Sequence, residues 1–194
     1  MSPAATMSTD DARRAVLRAA DDLFYAHGIT GVVMSDIRDA SGVSMRRLYA
    51  MYPSKRDLVT GWLTERHVTW MAWFTTSVDR HIAAGTDPVL APFDAIGDWV
   101  TTPGFRGCAF INSLAEASEM ADVHHTIITA HKRDLVEHLA ELARRERPDA
   151  PAWLAPALAV IVDGAIVQCT IFASSDPLTA ARCAVHQLLE TIPT

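Results

Sequence analysis

Two short stretches carry side chains whose types and spacing suit recognition of an anionic partner. In the first, Ser44-Met45-Arg46-Arg47-Leu48-Tyr49 follows Ser41-Gly42-Val43. Glycine at position 42 tolerates the positive φ of a tight interhelical turn, and Ser44 can cap a following helix by accepting from its free N–H groups. At 100° per residue, Ser44, Leu48, Met51 and Tyr52 share one side of that helix. Arg46 and Ala50 centre the other, flanked by Arg47 and Tyr49. The first side docks; the second presents guanidinium groups able to bond a guanine edge or a phosphate. In the second stretch, Ser54-Lys55-Arg56-Asp57, Ser54 and Asp57 form a capping-box pattern, yet two cations occupy a first helical turn. The helix macrodipole disfavours each by a few tenths to about 1 kcal/mol, so an incoming anion is the natural compensation. The competing reading, that these cations form an ordinary solvated face, is weakened by their grouping.

These side chains need helices to position them. Apolar residues recur with a period near 3.6 and no stretch alternates with period two, so the chain reads as all-α. A first helix carries Val16, Leu17, Ala20, Leu23 and Phe24 on one face, opened by Asp10 or Asp11 and closed by Gly28. Short helices follow over 34–40 and from Ser44 to before Pro53. Ser54 opens a long one to about Ala84, ended by Gly85 and Pro88. Five more are expected over about 88–101, 106–118, 121–146, 151–174 and 177–192, giving a nine-helix, two-domain architecture.

The 194 residues carry 17 Lys+Arg, 23 Asp+Glu and a formal net charge of -6, and 49% are apolar. That apolar fraction supports a core and excludes intrinsic disorder. The acidity is unevenly placed. Residues 1–66 hold nine basic against eight acidic side chains, whereas residues 67–194 hold eight against fifteen. Cys108, Cys169 and Cys183 are too few, and odd in number, for a disulfide framework, so the cytoplasm is the expected compartment. The first nine residues show neither the basic nor the apolar part of a secretory signal, and Met7 is a second candidate start. Trp153 to Ala173 is long and apolar, but it contains Pro156, Asp163, Gln168 and Thr170. It is expected to be a buried helix, with no membrane partner.

In the later helices, Trp70, Trp73, Phe74, Trp99, Phe105 and Phe110 are close in sequence. They are candidates to line an apolar pocket, with Asn112, Glu116 and His124 as polar groups orienting an apolar or aromatic ligand; the alternative is that they fill the core. His124, His131 and His138 repeat every seven residues, a rise of about 10.5 Å that is too long for two of them to share one metal ion. They are expected on a solvated or pocket-edge face. Asp134 with His138 has chelate spacing and lacks further ligands, so no metal or cofactor is expected. No nucleotide loop or nucleophile elbow is present. Leu158, Ile161, Val162, Ala165, Ile166 and Cys169, with Leu178, Val185, Leu188 and Leu189, exceed what one helix pair buries. They suggest a self-complementary contact of the last two helices, against the alternative of packing within the chain.

Gly42-Val43-Ser44, Leu48-Tyr49 and Pro53-Ser54-Lys55, followed by Leu58, resemble the DNA-binding signature of TetR-type transcriptional regulators. Leu23-Phe24, His27-Gly28 and Asp36-Ile37 fit its first two helices, so the resemblance covers about residues 13–60. It implies a three-helix DNA-binding domain over 1–54 and an effector-binding and dimerisation domain over 55–194. The implied protein is not an enzyme. It is a homodimeric repressor on a palindromic double-stranded operator, released by a small-molecule effector. Tyr49 and Lys55 match the pattern, implying a base or backbone contact for Tyr49 and a phosphate contact for Lys55; Ser44, Arg46 and Arg47 complete the implied DNA-binding set. The chain departs from the pattern at Val32-Val33, where Thr or Ser is usual, and at Met51. Arg46 stands where glycine is common, which implies that it either reads a base directly or changes the docking; a specificity role is expected. Arg106 to Asn112 resembles a C-terminal motif of one subgroup. The rival reading is a helical enzyme or metal-binding protein using the C-terminal histidines and cysteines.

Overall fold

The computed structural model describes residues 7–116 and 122–192. Among them the chain forms nine helices and no strand: α1 (Thr9–His27), α2 (Met34–Ser41), α3 (Met45–Met51), α4 (Lys55–Ala83), α5 (Ala91–Val100), α6 (Ala109–Ala115), α7 (Asp122–Glu146), α8 (Leu154–Phe172) and α9 (Asp176–Glu190). The periodicity therefore located every helix, and the differences lie at the ends. Ser8 caps α1, not Asp10 or Asp11: its Oγ accepts the Asp11 N–H at 3.1 Å. α5 begins at Ala91 because the preceding residues form a turn in which the Asp87 carboxylate accepts the Val89 N–H at 2.7 Å. Arg106-Gly107-Cys108 lead into α6 without joining it, and the expected end of that helix at 117–118 lies outside the described residues.

The chain divides into two compact units, one of Met1–Arg66 with Asn112–Ile127, the other of His67–Ile111 with Ile128–Thr194. In the first unit α1 packs on α2 and α2 on α3. Its core holds Val16, Ala20, Phe24, Ile37, Val43, Leu48, Leu58, Trp62 and Leu63. Asp21 fastens α1 to α4, accepting from the Trp62 indole N–H at 2.7 Å and pairing with Arg66 at 2.5 Å, while Phe24 and Trp62 meet edge to face. A half-exposed carboxylate tied to two donors has more fixed geometry than a lone surface pair.

In the second unit α8 and α9 pack together and α5 lies against both. By length and composition alone α8 could cross a membrane, with 44% of that stretch buried. Its two faces differ. Leu154, Leu158, Val162, Ala165, Ile166 and Cys169 are buried within the chain, as are Leu178, Val185 and Leu189 of α9. Asp163, the charge that argued against a membrane span, is neutralised by Lys132 at 2.5 Å. Most of the apolar residues that looked surplus in the sequence are thus used within the chain. The surplus lies opposite: Trp153, Val160, Val167 and Ile171 are exposed and fall within about 40° of one line along the helix.

Candidate nucleic-acid interface

The loop between α2 and α3 meets the requirement read from the sequence. Gly42 is left-handed at φ 68°, and its N–H closes α2 on the Arg38 carbonyl at 3.0 Å. Val43 is buried, and the Ser44 Oγ accepts the Arg47 N–H at 3.4 Å as α3 begins. Ser44 was expected on the docking side; it is exposed, because capping turns its hydroxyl along the backbone. Docking rests on Leu48 and Tyr52, which are 0% and 5% exposed. Arg13 lies 5.6 Å from the Tyr52 ring centroid, and burial pushes the Tyr52 phenol above its ordinary range. Arg46, Tyr49 and Ala50 are exposed, with Arg47 half-buried beside them. The two sides of the helix follow the wheel otherwise, Met51 being half-buried.

At the start of α4, the Asp57 N–H donates to Ser54 Oγ at 3.2 Å and the Ser54 hydroxyl donates back to the Asp57 carboxylate at 2.6 Å. Lys55 is half-buried and Arg56 exposed in this first turn. Val33, at the start of α2, has no side-chain acceptor, so only the return bond forms, from its own N–H to the Asp36 carboxylate at 2.9 Å.

Charge pairing separates the cations of this unit. Arg14 pairs with Asp11, Arg38 with Asp39 and Arg66 with Asp21. Among the described residues, Arg46, Arg47, Lys55 and Arg56 make no ion pair, and neither do Arg13, which lies by the Tyr52 ring, and Arg18 of α1. An unpaired, solvated guanidinium on a docked helix is free to form bidentate bonds with a base edge or phosphate. Residues 16–60, which hold all these elements after the first turns of α1, match the family described as bacterial regulatory proteins, tetR family.

Over that segment the chain is similar to the tetR family.

Solved structures agree along nearly the full length. A TetR-family transcriptional regulator from Streptomyces coelicolor is 25% identical, with TM-score 0.78 over 93% of this chain and 95% of that one. NemR of E. coli in its reduced form, 20% identical with TM-score 0.80 over 90% and 95%, shares the fold. So does a TetR transcriptional regulator from Chloroflexus aurantiacus, 20% identical with TM-score 0.78 over 94% and 96%. No curated protein matches the chain in sequence. The chain therefore has the fold of these TetR transcriptional regulators.

The candidate effector residues divide between the units. Trp70, Trp73, Phe74, Trp99 and Phe110 come together in the second. Trp70 stacks on Phe74 with centroids 4.9 Å apart and meets Trp99 at 5.7 Å, while Trp73 lies 6.2 Å from Trp99. Phe74 and Phe110 are fully buried and fill the core; Trp73 is 36% exposed, and Trp70 and Trp99 are half-buried. Asn112, Glu116 and His124 belong to the first unit, where Asn112 is exposed. Glu116 accepts from Thr30, and the His124 Nε2 lies 3.0 Å from the Thr60 Oγ1.

The histidines depart from a solvated face. His124 and His131 are 4% and 1% exposed, and His138 is largely buried. Helix α7 is enclosed more fully than its charged sequence indicates. Phe110 stacks on His131 at 3.7 Å, Trp70 meets it at 5.2 Å, and the His67 Nδ1 lies 3.2 Å from the His131 Nδ1. His67 reaches Asp134 at 3.3 Å. His67 and His131 are thus neighbours of the aromatic cluster that the sequence did not single out; only the seven-residue repeat of His131 hinted at it. Among the described residues no group of three His, Cys, Asp or Glu is placed to hold a metal ion.

Proposed function

We propose that the protein is a homodimeric, ligand-responsive transcriptional repressor. Residues 1–54 bind a palindromic double-stranded operator, and residues 55–194 bind a small effector and the partner subunit. The observation that carries this reading is the set of unpaired cations on the exposed side of α3 and in the first turn of α4, beside an exposed Tyr49. Arg46 reads a base, Arg47 and Tyr49 contact base or backbone, Ser44 orders the start of α3 against the backbone, and Lys55 holds a phosphate. The half-exposed indoles of Trp70, Trp73 and Trp99 favour an apolar or aromatic effector. Effector binding would shift the separation of two recognition helices away from one helical turn of DNA, about 34–36 Å.

The apolar stripe of α8 supports dimerisation through the last two helices. Val160, Val167 and Ile171 are 72%, 38% and 64% exposed, with Gly164 leaving open space between them. A second copy presenting the same stripe across a two-fold axis would bury it.

The test is binding of the purified protein to a labelled duplex from upstream of its own coding region, by gel shift over a range of salt. A salt-sensitive complex, weakened by Arg46→Ala and by Lys55→Ala, is expected. Salt-insensitive binding, or no effect of either substitution, would overturn the reading.

A further inference from the structure

Residues 112–116 and 122–127 come late in the chain, yet they belong to the same unit as the helix-turn-helix, and two of their side chains hold its two ends. At one end, the Glu116 carboxylate accepts the Thr30 N–H at 2.8 Å and the Thr30 hydroxyl at 3.1 Å, across 86 residues of sequence. This is the turn between α1 and α2. Gly28, at φ 77°, closes α1 there, and a Cβ on it would stand 2.8 Å from a Glu116 oxygen. The glycine is needed both for the backbone and for the approach of the carboxylate.

At the other end, the His124 Nε2 lies 3.0 Å from the Thr60 Oγ1 and 3.2 Å from the Arg56 carbonyl, to which the Thr60 hydroxyl also donates at 2.9 Å. This is the first part of α4, whose opening turn carries the unpaired Lys55 and Arg56. His124 is 4% exposed and its Nδ1 has no partner among the described residues. A buried ring that leaves one nitrogen unbonded in order to place the other on a backbone carbonyl is held for position more than for stability.

We infer that Glu116 and His124 are positioning residues for DNA binding: together they brace the helix-turn-helix at the turn before α2 and at the first turns of α4. The inference rests on the DNA-binding reading above and gives these two side chains work apart from contact with an effector. Bracing lowers the ordering cost when the module meets DNA, so losing a brace weakens binding without removing a DNA contact.

The experiment uses the full chain and the same upstream duplex. Glu116→Ala should weaken binding about fivefold to tenfold. Glu116→Gln, which keeps an oxygen facing Thr30, should stay within about twofold. The salt slope should not change, because no phosphate contact is lost. Thr30→Ala combined with Glu116→Ala should be no weaker than Glu116→Ala alone, and amide exchange over residues 28–33 should rise in Glu116→Ala. His124→Leu should weaken binding while exchange rises over the start of α4. Additive losses for Thr30 and Glu116, or wild-type affinity in both the Glu116→Ala and His124→Leu proteins, would overturn the inference. If the wild-type protein itself fails to bind, the DNA reading falls, and unchanged exchange in the variants would separately remove the brace.

Discussion

Arg46 and Lys55 differ in what their loss should do, because one lies on the exposed side of α3, the proposed recognition helix, and the other in the first turn of α4. Lys55→Ala should weaken binding to every duplex alike and flatten the dependence of log affinity on log salt by about one. Arg46→Ala should instead relax the preference at a single base position, costing about 1–3 kcal/mol at the preferred base and little at the others. Binding measured against a set of single-base operator variants separates them; an equal loss across the set for Arg46→Ala would make it a backbone contact. His138 gives a residue-scale prediction of another kind. Burial pushes its pKa below the ordinary 6.5, its Nε2 has no hydrogen-bond partner among the described residues, and the Phe74 ring lies 5.8 Å away. A lowered native pKa means that the unfolded chain binds the proton more readily. Its contribution to stability is therefore intact above about pH 6.5 and is lost as pH falls towards the native value. Thermal melts at pH 7.5 and 5.5 should show a smaller acid-induced drop for His138→Leu than for the wild type. The variant should also be no less stable at neutral pH, since it removes an unsatisfied nitrogen.

At the scale of elements, α3 is only seven residues long and cannot hold its own conformation in water. Its place is set by the Gly42 turn, the Ser44 cap and the burial of Leu48 and Tyr52. Leu48→Ala should therefore cost about 2–5 kcal/mol in stability, read by urea unfolding. Gly42→Val should destabilise the module by more than about 1 kcal/mol, because a β-branched residue resists the left-handed backbone there. If either variant unfolds at the wild-type urea midpoint, the docking account of α3 is wrong. Local chemistry of this kind was legible in the sequence: Gly42, Ser44 and the Ser54–Asp57 pair each specify a conformation within a few residues. Pairings made by packing over long distances were not legible. Nothing near Glu116 points to Thr30, and nothing near His131 points to His67 or Phe110, because each contact depends on how helices distant in sequence pack. The seven-residue histidine repeat reads as one face of α7, solvated or at a pocket edge; the solvated alternative does not hold, since periodicity gives the face and tertiary packing decides what covers it.

For the whole molecule, the uneven charge and the two-faced α8 bear on one question. On the proposed reading, a segment with only one excess positive charge has little non-specific attraction for DNA, so affinity would come from a few placed cations used twice in the proposed dimer. Doubling those contacts requires a stable dimer. α8 supplies a face suited to one, because Val160, Gly164, Val167 and Ile171 form an open apolar line on the side away from the buried Leu158 and Val162. A carboxylate at Val160 would repel its symmetry mate and stay solvated in the monomer, where the site is 72% exposed. Val160→Glu should therefore leave each chain folded, with an unchanged helical circular dichroism spectrum, and shift the light-scattering mass from twice 21.2 kDa to that value. Upstream-duplex binding should then fall by at least a factor of about 100, the lower end of the gain expected from linking two sites. A wild type that is already monomeric at micromolar concentration, or a Val160→Glu protein that remains dimeric, would mean that the exposed line of α8 serves some other contact. The few cations on α3 and α4 would then have to account for affinity alone.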